Sequence, residues 1–173
     1  RHNALPILDP GMIPASAWKN AGRATPEAAL ETALWAAAAG DMNILAETVY
    51  LPPSTRAKLE VAMAGLPETL RQQYGTPEKL VALLAAKEMP LGAMEVLGPW
   101  EGKDISMPPD MIGLRVKLKG SPGVIQGSYN TSKSTVLVLR QTAGEWRLDI
   151  PQGVVNRYVS MLAAPPAQSS TAP

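Results

Sequence analysis

No cysteine occurs in the 173 residues. Disulfides, thiolate nucleophiles, thiolate metal sites and iron–sulfur clusters are therefore all excluded from this chain. Histidine occurs once, as His2, far from any structured pattern. A Ser-His-Asp triad or a multi-histidine metal site would need a second chain. Charge of one sign is also lacking: 16 Lys and Arg face 15 Asp and Glu, a formal net charge of +1. So weak a field implies neither a nucleic-acid nor an anionic-membrane partner. No apolar run approaches the ~20 residues that span a bilayer, and no signal-peptide pattern is present. Phenylalanine is missing altogether, leaving four Trp and eight Met among the large apolar residues.

What is present begins with Thr25 to Asp41, TPEAALETALWAAAAGD. Thr25 is placed to cap backbone N–H groups, Pro26 stands where its missing N–H costs nothing, and Glu27 faces the positive helix end. Gly40 permits a left-handed exit. The spacing predicts a helix over 26–39 with Leu30, Ala33, Leu34 and Ala37 on its buried stripe, and each large side chain buried contributes about 1.5–3 kcal/mol. Asp41 caps a second helix, with Met42, Leu45 and Val49 on one face, that Pro52-Pro53 ends, Ser54 starts a third that closes near Gly65, Pro67 opens a short piece through Tyr74, and Thr76 caps a fifth.

Beyond Pro90 the period changes from helical to alternating. Ala93 to Leu97 is a short strand candidate. Ile112, Leu114, Val116 and Leu118 alternate with Gly113, Arg115, Lys117 and Lys119, as on a half-buried strand. Ser134 to Gln141 is apolar on both faces, the pattern of a strand covered on two sides. Thr142-Ala143-Gly144 turns it into a strand with Trp146, Leu148 and Ile150 on one face, and Gly153 to Leu162 returns to a helix. Helices followed by strands predict a segregated α+β fold, with N-terminal helices packed on a curved antiparallel sheet of about four strands and a short C-terminal helix.

This divides the chain into a Pro- and Gly-containing arm over 1–24, anchored by Leu5, Ile7, Leu8 and above all Trp18, a single domain over 25–162, and a Pro/Ala/Ser tail over 163–173 that reads as disordered. A length of 173 residues suffices to bury roughly 70% of the extended surface of one such domain. Because the chain begins at Arg1, we expect residues upstream that held a signal or an anchor.

The order of ATPEAALETALWAAAAGD, further helices and strands ending in GEWRLDIP resembles the nuclear transport factor two-like superfamily over Trp18 to Leu162. The stretch WKNAGRATPEAALETALWAAAAGD is similar to uncharacterised bacterial members, some joined behind a membrane helix to extracytoplasmic-function sigma factors. The resemblance implies a cone-shaped fold, a pocket between helices and concave sheet, and frequent homodimers through the sheet. It does not by itself imply an enzyme, since the fold carries both catalysts and modules without chemistry.

Three functional expectations follow. The first is a non-enzymatic ligand-binding or protein-interaction module, extracytoplasmic or membrane-tethered, with an apolar small ligand or a protein as partner and with no metal, cofactor or catalytic residue. The second is a small-molecule isomerase or lyase, in which an apolar cone raises the Glu95 pKa and Tyr50 or Tyr74 donates a hydrogen bond. A solvated Glu95 fits the same alternation in the other register. A third expectation is a self-associating structural subunit.

Lesser candidates have ordinary alternatives. Arg115, Lys117, Lys119 and Arg147 form a basic stripe, interrupted by Glu145 and Asp149 and lacking aromatics for base stacking. Trp35, Met63, Met94 and Trp146 suit either an apolar pocket or plain core packing. Asp149 is expected to pair with Arg147 or Arg140. Gly120-Ser121-Pro122-Gly123 is a turn rather than a phosphate loop, and Asn130-Thr131-Ser132 matches a glycosylation sequon.

Overall fold

The computed structural model describes residues 10–102, 107–120 and 132–163. His2, Leu5, Ile7, Leu8, the 121–123 turn, Asn130-Thr131 and the tail from 164 lie outside them. Within them, the expected caps form: the side-chain oxygens of Thr25, Asp41 and Thr76 accept from the backbone N–H groups of Ala28, Ile44 and Lys79 at 3.1, 3.1 and 3.2 Å. These open α1 (Pro26–Ala39), α2 (Met42–Glu47) and α5 (Pro77–Ala86), while α3 (Pro53–Ala64) and α4 (Glu68–Tyr74) start at proline-bounded turns. Gly40 leaves α1 at φ 74°, as its position demands.

The strands are β1 (Ile13–Pro14), β2 (Val49–Tyr50), β3 (Ala93–Pro99), β4 (Met111–Lys119), β5 (Ser132–Thr142) and β6 (Glu145–Asp149), followed by α6 (Gln152–Ala163). They form one sheet in the order β1-β3-β4-β5-β6-β2, curled into a half-barrel. The protein is thus α+β, with six strands among the described residues rather than about four, and a mixed rather than purely antiparallel sheet. Both extra strands are two residues long, and β2 pairs parallel to β6. A pair so short carries no period of its own, so only the partner reveals it. The second helix ends at Glu47 rather than at Pro52-Pro53 for the same reason: the Thr48 carbonyl accepts Leu148 N–H at 2.7 Å, and the Tyr50 carbonyl accepts Ile150 N–H at 3.3 Å.

The helices cover one face of the sheet. Leu30, Ala33 and Leu34 of α1 share a buried core with Met94, Leu114, Val116, Leu118 and Leu139 of the sheet, and Ile112, Leu137, Trp146 and Leu148 pack against it. Small alanines, Ala29, Ala33, Ala36 and Ala37, let α1 lie close. A second core joins β2, α3, α5 and α6 through Val49, Leu51, Leu59, Met63, Leu80, Val81, Val155 and Tyr158. Ile150 packs there, apart from its strand-mates Trp146 and Leu148.

The described part of the arm is docked. Trp18 is 5% exposed and donates its indole N–H to the Ile13 carbonyl. Buried Thr32 of α1 ties the arm down twice, accepting from Ala21 N–H at 3.0 Å and donating to the Gly22 carbonyl at 2.8 Å. Arg23 bridges Glu145 at 2.7 Å and also reaches the Glu47 carbonyl.

Candidate functional site

Cross-strand register decides where each candidate side chain points, because directly opposed residues share a face. Met94 opposes Leu118 and Val96 opposes Val116, all four toward the helices, so Glu95 and its partner Lys117 face outward. Glu95 lies half-buried over Gly11, where an added Cβ would stand 3.0 Å from the carboxylate and where φ is 87°. Only glycine suits that spot.

Tyr50 lies on β2, four strand steps from β3 across the sheet, which is about 19 Å at the usual interstrand spacing. Tyr74 ends α4 and packs on the second core. Glu95 therefore meets neither tyrosine. The side of the sheet that would hold a pocket is filled by the first core, which takes up Met94, Trp35 and Trp146, while Met63 belongs to the second. These four do not line one cavity.

The outer face has its own chemistry. Arg140 on β5 opposes Arg147 on β6, a like-charge pair that needs compensation. Arg140 reaches Asp149 at 3.4 Å and Asp110 at 3.3 Å, and its guanidinium sits 4.9 Å from the centre of the Tyr50 ring. Arg147 lies 4.0 Å from Glu145. Asp149 thus pairs with Arg140 rather than Arg147. Burial raises its pKa above the usual carboxylate value, and the neighbouring Arg140 opposes that shift. The basic stripe is real as a face but broken by these acids and by Glu95 opposite Lys117.

Farther along that face, apolar side chains stand in the open. Leu97 is 40% and Val136 37% exposed, so β5 is covered on one side only, contrary to the pattern of Ser134 to Gln141. Charged Arg115 opposite Val136 keeps that side solvated. Trp100 lies against Gly113, where an added Cβ would come within 3.2 Å of the Trp100 Cβ and 3.3 Å of its indole ring. Pro99, Trp100, Glu101 and Arg115 line an open cleft of about 510 Å³ there. Sequence reasoning missed this patch, because Trp100 follows a proline and belongs to no period. Among the described residues no group of three or more His, Asp or Glu is placed to hold a metal, and no helix is long and apolar enough to cross a membrane.

No family model, curated protein or solved structure matches this chain.

Proposed function

We propose that this chain is a non-enzymatic protein-interaction module with a cone of the nuclear transport factor two-like kind, working through the outer face of its sheet. One observation carries the reading: the side that would hold a substrate is occupied by the protein's own Leu, Met, Val and Trp side chains, while Glu95 stands on the opposite face without a tyrosine. A general acid or base needs a reacting group and an enclosed pocket within hydrogen-bond reach, and Glu95 is instead taken up on the outer face by Gly11 and the opposing Lys117. The outer face instead combines exposed Leu97 and Val136 with the Trp100 and Arg115 cleft, the mix of aromatic, apolar and arginine groups that interfaces use.

The partner in this reading is a second copy, sheet against sheet, as the resemblance implies. Placement outside the cytoplasm, on a membrane tether, belongs to the same proposal and rests on the Pro-rich flanks over 1–24 and 163–173. Light scattering at tens of micromolar tests the partner. The wild type is expected at twice the chain mass, and Val136→Asp, with an unchanged circular dichroism spectrum, at the chain mass. A wild type that stays monomeric at these concentrations would refute the sheet-paired dimer.

A further inference from the structure

We propose that α6 is an exchangeable helix, and that the groove it fills, formed by α3, α5 and β2, also accepts α6 from a second copy of this chain. This goes beyond the outer-face reading and does not depend on it. The division of the interior into two cores is the first observation. α6 contributes Val155 and Tyr158 to the second core and nothing to the first, which α1, α2, α5, the sheet and Trp18 complete without it. Its packing neighbours are α3 and α5.

The second observation is the form of the contact. Val154, Val155, Tyr158, Val159 and Leu162 recur at the spacing of an amphipathic helix lying in a groove. The groove presents Val49, Leu59, Met63, Leu80 and Val81 to them. Third, the polar tie is specific yet reachable by solvent. Arg157 holds Glu88 through two 2.7 Å bonds, and the Tyr158 hydroxyl donates to the same carboxylate at 3.2 Å. The Arg157 and Glu88 side chains are 52% and 41% exposed. Glu88 stands just past the C-terminus of α5, where the helix dipole disfavours an anion, so this carboxylate calls for a cation from the incoming helix. Fourth, only Ile150 and Pro151 link α6 to the sheet, and the Pro151 carbonyl accepts the first helical N–H groups, from Val154 at 3.0 Å and Val155 at 3.2 Å. Exchange of an identical element about such a hinge is a low-cost route to a dimer, and the pairings among β3, β4, β5 and β6 do not involve α6.

A fluorescein-labelled synthetic peptide of residues 152–163 stands in for the second copy's helix, and the full chain is the receptor. We expect the peptide to bind the Arg157→Ala chain, whose own helix is loosened, at least tenfold more tightly than the wild type. A peptide carrying Arg157→Glu should bind that chain at least tenfold more weakly than the unaltered peptide. Failure of the peptide to bind either chain, with both showing native circular dichroism, overturns the proposal. Should Arg157→Ala not fold, hydrogen exchange of the wild type decides: α6 amides at least tenfold less protected than those of α1 support exchange, and equal protection overturns it.

Discussion

Thr32→Val tests how the arm is held. The exchange preserves shape inside α1 but removes the hydroxyl that accepts from Ala21 and donates to Gly22. Thr32 is 2% exposed, so no water replaces the hydroxyl within the helix face. Two neutral hydrogen bonds at roughly 0.5–1.5 kcal/mol each put the loss at about 1–3 kcal/mol. The new methyl recovers part of it, since valine is the more apolar side chain. A net loss near 2 kcal/mol corresponds to a change of roughly 30-fold in the opening equilibrium. The loss should be local first, because the two bonds secure residues 21 and 22 rather than the sheet. Tryptic cleavage at Lys19 and Arg23 reads it directly: both lie in the arm, and cleavage there should accelerate before the tryptophan fluorescence of the intact chain changes. Urea unfolding then gives the global value. Unchanged cleavage with unchanged urea stability would refute the idea that this hydroxyl anchors the arm.

Tyr158 and Ala143 offer two further checks. Burial, reinforced by Glu88, pushes the Tyr158 hydroxyl up to about 12 from an ordinary value near 10. The folded value lies above the unfolded one, so its stabilising effect is complete below about pH 10 and is lost as pH rises through about 12; urea midpoints of the wild type should fall across this window more steeply than those of Tyr158→Phe, and parallel curves would count against the assignment. In the β5–β6 hairpin, Ala143 sits at φ 52° beside Gly144 at φ 80°, a two-residue turn that favours glycine or asparagine first. Ala143→Gly should raise stability by about 0.5–1 kcal/mol, because relief of the left-handed strain outweighs the entropy of the added glycine; a lower melting temperature would contradict it.

Local signals made much of this fold legible. Thr25, Asp41 and Thr76 announce helices because a cap is chemistry between residues three apart. The alternation from Ile112 to Leu118 announces β4 because one of its faces is buried. What could not be read depended on partners distant in sequence. β1 and β2 exist only by pairing with β3 and β6. Glu95 shows the same limit at the candidate site. Met94, Glu95 and Val96 alternate equally well in either register, and only their opposition to Leu118, Lys117 and Val116 turns the carboxylate outward. Met161 and Leu162 are similar in character, yet a turn of the helix leaves Met161 53% exposed and packs Leu162 on the second core.

The parallel contact between β2 and β6 also orders assembly. β6 comes last among the strands but stands next to last in the sheet, between its hairpin neighbour β5 and a segment made almost a hundred residues earlier. Until Glu145 to Asp149 emerge during synthesis, Val49 and Tyr50 have no strand to join, and the helices on either side of them must wait with an unpaired backbone between them. Closing so long a loop is entropically costly and slow. Val49 and Tyr50 therefore stay unpaired while the residues up to Glu145 are made, and the Ala143-Gly144 hairpin is the step that ends this wait.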